Sequence, residues 1–201
     1  MNTKFFITFV FALIFSAKVL ADSPLTSIVI SEAYESEYII QQASKTEGKL
    51  TIELLNYLID KKNAIELKIA LINKLGWDME GKNNASVFFN YLNDLNIISD
   101  MHDANAEILI CYAYLKALDD YFNVEEAIEF AELAKSKNNS SYTISIICAI
   151  ILAQEALDTN WCKVYNLTDG VRKDKSLDQD MKEETKSIIF EYMDTYKKYC
   201  Q

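Results

Sequence analysis

Residues 142–157 read YTISIICAIILAQEAL, and the middle of this run, residues 144–152, is apolar on almost every side of an α-helix. A helix without a polar side is typical of one that neighbouring helices enclose. The run is too short to cross a membrane, since a spanning helix needs about 20 apolar residues. The sequence therefore predicts a fold in which other helices surround this one.

The composition of the whole chain agrees with a helical fold. It has 201 residues, of which 50% are hydrophobic and 25% are charged, so it can bury the core of one moderate domain. Only four glycines and one proline occur. They are too few turn-forming residues for the many tight connections of a β-sandwich, barrel or propeller. We therefore expect an all-α protein.

Amphipathic segments at helical spacing precede and follow residues 142–157. The predicted helices are 24–44, 50–59, 64–75, 85–95, 104–120, 124–137, 142–157 and 177–199, with a less regular piece at 160–167 and a turn at Asp169 and Gly170. The connections are short and no change of composition marks a linker. The sequence thus predicts one domain, residues 22–201, of antiparallel helix hairpins arranged as a short solenoid or a compact bundle.

One of these helices carries a repeat-like pattern. Residues 125–134 read EEAIEFAELA. They resemble the second helix of a tetratricopeptide repeat, in which two alanines seven residues apart flank an aromatic residue. Ala127 and Ala134 match the two alanines, and Phe130 supplies the aromatic residue one position early. The preceding helix departs from the family, because it has Cys111 and Leu115 at the tryptophan and glycine positions.

The resemblance implies a place for a partner. Tetratricopeptide repeats line a concave surface with the first helix of each hairpin, and that surface holds a segment of another protein. Carried onto this chain, the groove positions are Leu109, Tyr112, Lys116, Asp119, Thr143, Ile146 and Ile150. Their mixture of aromatic, charged and aliphatic side chains suits peptide recognition. The alternative is that Tyr112 and Ile146 are core residues covered by the terminal helix.

The beginning of the chain has the pattern of a secretory signal peptide. A basic start ends at Lys4, an apolar run spans residues 5–15, and Lys18 interrupts the apolar character before a transmembrane length is reached. Val19 and Ala21 fit the positions before a cleavage site. We therefore expect residues 1–21 to be removed and the product to be exported, to the periplasm or the outside, without an integral membrane segment.

The charge of the exported chain limits its partners. Cleavage would remove two lysines and no acidic residue, so the formal charge would change from −10 to −12. Such a chain repels nucleic acid and anionic lipid, and it attracts basic proteins. The alternative is that the charge only keeps an exported protein soluble.

All four cysteines follow the predicted cleavage site, and in an oxidising compartment an even number permits disulfides. A bond between Cys162 and Cys200 would fasten the end of the chain, which otherwise tends to fray. Cys111 and Cys148 lie in strongly apolar helices. They are either a second bridge or two small buried side chains.

No motif in the chain names a reaction. Nucleophile, metalloprotease, phosphate-loop and dinucleotide signatures are absent from the sequence. The only histidine, His102, has no second ligand at metal spacing, and its position favours a surface or helix-capping role. Carboxylate pairs such as Asp119 with Asp120, and Glu125 with Glu129, are explained by solvated helix faces. We therefore predict no catalytic residue, no metal and no cofactor.

The sequence favours a non-enzymatic protein that binds another protein, which we expect to be basic. One version is an immunity or inhibitor protein that blocks a cationic toxin directed at the cell envelope. Two alternatives remain open at this point. The first is a glycoside hydrolase of the cell envelope that uses two carboxylates, and the second is a structural factor that associates with its own copies.

Overall fold

The structure is a computed structural model that describes residues 22–200, so the predicted signal peptide lies outside the described residues. The prediction of an all-α fold is confirmed. The described residues form ten α-helices: α1 Pro24–Ser27, α2 Tyr38–Ala43, α3 Ile52–Ile59, α4 Ile65–Leu75, α5 Asn84–Asp94, α6 Ala106–Asp119, α7 Glu125–Lys137, α8 Tyr142–Ala156, α9 Trp161–Lys173 and α10 Glu183–Met193. Three 3₁₀ helices add Ile30–Tyr34, Met101–Asp103 and Asp194–Tyr199.

The apolar helix α8 lies inside the molecule, as predicted. It contacts α6, α7, α9 and α1, and most of its side chains are buried. From α6 to α9 each helix packs against the next one, an arrangement compatible with helical repeats. Between residues 22 and 200, no helix combines the length and the apolar character that crossing a bilayer requires.

The prediction of one continuous helix over residues 24–44 is wrong. The structure divides it into α1, a 3₁₀ helix and α2. The division has a cause in α4, where the Asn73 side chain accepts a hydrogen bond from the Ser31 backbone at 3.0 Å and donates one to the Ile28 carbonyl at 2.9 Å. These bonds satisfy backbone groups at the break, so the chain can bend there without leaving buried polar atoms unpaired.

The predicted turn at residues 169–170 is also wrong, because α9 continues through it. The Asp169 carboxylate forms ion pairs with Arg172 and Lys173, three and four residues further along the same helix. In each pair a side-chain nitrogen lies 2.5 Å from a carboxylate oxygen. Such pairs stabilise a helix. A Cβ atom at Gly170 would meet no atom within 4 Å, so this glycine marks neither a turn nor a close approach of backbone.

The last helix begins at Glu183 rather than at residue 177, because the segment before it runs along the start of α8. The Asp178 backbone N–H donates to the Ser140 carbonyl at 2.7 Å. The Asp180 carboxylate accepts hydrogen bonds from the Ser141 hydroxyl and from the Thr143 backbone N–H, at 2.5 and 2.8 Å. The segment thus caps the N-terminus of α8 from outside, which a helical conformation would prevent.

The predicted bridge between Cys162 and Cys200 is confirmed. It joins the beginning of α9 to the last described residue. Cys111 and Cys148 are free and buried, and burial raises the pKa of their thiols to about 12 and about 11. Both therefore stay protonated at neutral pH and pack as small apolar side chains.

Removing the bridge is expected to destabilise the protein. The bond closes a loop of 38 residues, which corresponds to about 4 kcal/mol in the chain-entropy treatment. Urea unfolding of the double variant Cys162→Ser/Cys200→Ser should show a lower midpoint, and a reductant should not change that midpoint further. An unchanged midpoint for the unmodified protein under reductant would contradict this assignment.

Candidate functional site

The turn between α6 and α7, residues 120–124, lies where three neighbouring surface depressions meet. Their volumes are about 350, 400 and 520 Å³. We call this surface the acidic end, because among the described residues eight carboxylates border it and only two lysines do. The carboxylates are Asp22, Glu80, Asp119, Asp120, Glu125, Glu126, Glu155 and Asp158, and the lysines are Lys82 and Lys116.

Both lysines of the acidic end are engaged within the protein. The Lys82 ammonium donates to the carbonyls of Leu75 and Gly76 at 2.6 and 2.9 Å, and so caps the C-terminus of α4. Burial lowers the pKa of Lys82, although Asp78 and Asp119 oppose this. The Lys116 ammonium lies 2.6 Å from Glu126. Lys116 thus offsets one carboxylate, and most of the negative charge remains uncompensated.

Asp119 has a structural function at the edge of this surface. Its Oδ2 accepts a hydrogen bond from the Ala85 backbone at 2.7 Å, and its own carbonyl accepts one from the Lys82 backbone at 2.9 Å. The residue is only 8% exposed. Burial raises the pKa of Asp119, while hydrogen bonds from the backbone of Ala85 and Asn84 lower it less. Asp119 thereby joins the end of α6 to the start of α5.

An exposed aromatic ring stands in the first depression. Phe122 is 75% exposed, the highest value among the large hydrophobic side chains that the structure describes as exposed. Its ring lies 4.2 Å, between centroids, from that of Tyr121, which is 4% exposed. The Tyr121 ring in turn meets Trp77 edge-on at 5.0 Å. Buried Val124 and half-buried Leu157 also line this depression, so it contains apolar groups next to the exposed ring.

The charges around this ring are all negative. Of the charged residues described by the structure, those lining the depression are Asp22, Glu125, Glu155 and Asp158. The carboxylate of Glu155 lies 4.0 Å from the Lys163 ammonium, a distant and solvated pair. We call this cavity of about 350 Å³ the Phe122 depression.

The walls of the Phe122 depression are fixed by hydrogen bonds. The Gln154 amide donates to the Tyr121 carbonyl at 3.2 Å and accepts from the Leu25 backbone at 3.4 Å, which connects α8, the α6–α7 turn and α1. The Asp22 carboxylate accepts a bond from the Tyr192 hydroxyl at 2.9 Å. These bonds link the N-terminal segment, α1, the α6–α7 turn, α8 and Tyr192 around the depression.

Four of the seven predicted groove residues lie in the core. Leu109, Thr143, Ile146 and Ile150 are at most 1% exposed. Other helices of the chain cover α6 and α8, since α4 packs on α6 and α1 packs on both α6 and α8. These four residues therefore cannot contact a partner in this structure, and the predicted groove is corrected at their positions.

The other three groove residues stay near the surface. Lys116 and Asp119 border the acidic end. Tyr112 is half-buried and meets the Phe130 ring edge-on at 5.0 Å. Sequence reasoning did not select Phe122, although residues 119–123 read DDYFN. The signal in the sequence that points to this residue is an aromatic pair directly after two acidic residues, in a short connection between helices.

His102 has partners away from the depressions. Its ring nitrogens lie 2.8 Å from Asp100 and 3.0 Å from Glu129, and its ring lies against Phe130. Glu129, half of a carboxylate pair in the sequence, is thus engaged with the imidazole. Hydrogen bonds to Glu129 and Asp100 raise the pKa of His102. Within residues 22–200, His, Cys, Asp and Glu side chains form no group of three suited to a metal ion.

The single imidazole permits a direct pH test. We expect the His102 pKa measured by NMR to lie above the usual value of about 6.5, and Glu129→Gln to lower it, because a neutral amide replaces one of the two carboxylates that stabilise the charged ring. The stabilisation that this pair provides is present below the unfolded pKa and is lost as the pH rises through the folded pKa. Equal pKa values for the two proteins would contradict the pairing.

Comparison of the chain with protein-family models, with curated proteins and with solved structures finds no match in any of the three. The site must therefore be interpreted from its own geometry, in which an exposed aromatic ring is surrounded by carboxylates and by no cation within the described residues.

Proposed function

We propose that this protein is exported and binds a basic protein through its acidic end without catalysing a reaction. The observation that carries the proposal is the Phe122 depression, where four carboxylates surround an exposed ring. Exposed aromatic residues are typical anchors of protein interfaces. A surrounding field of one sign selects partners of the opposite sign.

The whole chain reinforces the local field. Its formal charge is −10, or −12 without residues 1–21. A net charge of this size attracts cationic molecules before contact and increases the association rate. The concentration of carboxylates at one end of the helical array then orients the approaching partner. Solubility alone would not require that these carboxylates adjoin the most exposed aromatic side chain.

The proposed address is the periplasm or the exterior of the cell. The signal-peptide pattern of residues 1–21 supports export. The Cys162–Cys200 disulfide supports the same address, since such bonds persist mainly in oxidising compartments. A concrete version of the function is an immunity or inhibitor protein that meets a cationic, envelope-directed toxin there.

The proposed mode of binding uses the turn of a helix hairpin. We propose that α6 and α7 form a tetratricopeptide-like hairpin whose concave side holds neighbouring helices of the same chain. The connection at residues 120–124 then presents the partner-binding residues. Hairpin turns are suited to this role, because rigid helices fix their ends while the turn itself remains at the surface.

Charge reversal at the acidic end should weaken binding of a basic probe. The variant Glu155→Lys/Asp158→Lys reverses two of the four carboxylates of the Phe122 depression. We expect its affinity for a lysine-rich peptide to fall about tenfold or more at low salt, measured by fluorescence anisotropy. Added salt should weaken the binding of the unmodified protein, because it screens exposed charges.

The matched control is Asp94→Lys/Glu191→Lys. Both of these residues are exposed, neither lines the acidic end, and the change in net charge is identical. This control should lose only a small part of the affinity. Equal losses in the two double variants would show that net charge alone attracts the peptide, and the proposed site would be rejected.

A further inference from the structure

We infer that the Phe122 depression receives a basic segment of the partner that carries an apolar side chain between its cations. The apolar group would pack on the Phe122 ring beside Val124 and Leu157, and the flanking cations would face the surrounding carboxylates. This inference rests on the proposed function and adds the chemistry that distinguishes one basic partner from another.

The apolar component follows from the exposure of the ring. Phe122 leaves three quarters of its surface in water, and covering apolar area is favourable in proportion to that area. A purely cationic segment would leave most of this gain unused. The Phe122 ring also contacts the buried ring of Tyr121, 4.2 Å away between centroids, and this contact restricts the orientations among which binding has to select.

The cationic component follows from the border of the depression. Glu125, Glu155 and Asp158 lie at the start of α7, at the end of α8 and in the turn after it. Asp22 adds a carboxylate from the segment before α1, and cleavage after residue 21 would also leave an α-ammonium on this residue, so the net negative charge of the mature border comes from the other three carboxylates. A cation on either side of the apolar group would therefore meet a carboxylate. The cavity of about 350 Å³ lies at the lower end of the range that ligand-binding clefts occupy.

Other occupants fit these charges poorly. A second copy of this chain would bring its own carboxylates against the same surface, and like charges facing each other are unfavourable. An anionic lipid surface would be repelled for the same reason. A lysine segment without an apolar residue would bind by charge, aided by a weak contact of an ammonium with the ring, and this occupant is one outcome of the test.

The test compares two peptides of equal charge. One is a lysine peptide with tryptophan at its centre, and the other is identical except for alanine at that position. Their affinities are measured by isothermal titration calorimetry for the full-length mature chain. The unmodified protein should bind the tryptophan peptide about tenfold more tightly.

Two variants locate this preference. Phe122→Ser should bind both peptides with the affinity that the unmodified protein has for the alanine peptide. Ile52→Ser is the control. Ile52 is another exposed apolar residue, 63% exposed, and it lines none of the three depressions. It should keep the tenfold preference. Both substitutions are at exposed positions, and circular dichroism should show an unchanged helix content.

The outcomes separate this inference from the proposed function. Equal affinity of the unmodified protein for the two peptides, or a preference that survives in Phe122→Ser, would overturn the inference while salt-sensitive binding to the acidic end remained. Absence of binding to either peptide at low salt would overturn the proposed function as well.

Discussion

The structure depends on the burial of α8, a helix with no side suited to water. Most of its side chains are buried among α1, α6, α7 and α9. Exposing such a helix would cost about 25 cal/mol for each Å² of apolar surface, so every neighbour that covers it is strongly favoured. The short N-terminal helix and the extended segment around Asp180 owe their positions to this requirement, because they cover the flank and the start of α8.

Covering α8 also limits the surface that the proposed partner could contact. A solenoid of helix hairpins offers its concave face to ligands, whereas here α1 and α4 occupy the corresponding faces of α6 and α8. The surface that remains is formed by the ends of the helices. At the α6–α7 end, the Trp77 and Tyr121 rings meet edge-on and Phe122 is the next ring outward. Carboxylates of four different elements border it.

Periodicity predicted the helices whose positions depend on burial alone. The predicted ranges 124–137 and 142–157 agree with α7 and α8 within one residue at each end. The predicted helix boundaries that are wrong depend on hydrogen bonds between residues far apart in the sequence. Asn73 breaks the first predicted helix and Asp180 delays the last one, and no local pattern shows either contact. Lys116 and Asp119, which the sequence predicts for a concave groove, border the acidic end instead. Phe122 is not predicted, because its exposure follows from the packing of Tyr121 on Trp77.

The acidic residues around Phe122 also oppose contact between this exposed ring and a second copy of the chain. An uncovered aromatic group promotes association of identical copies, and the same carboxylates that attract a cation oppose the approach of a second acidic copy. Specificity is a difference between two affinities. Here the same carboxylates would raise the affinity for a cationic partner and lower the affinity for an identical copy. In the proposed function, these carboxylates attract a cationic partner and repel an identical copy, so the Phe122 ring would stay exposed until a partner of complementary charge covers it.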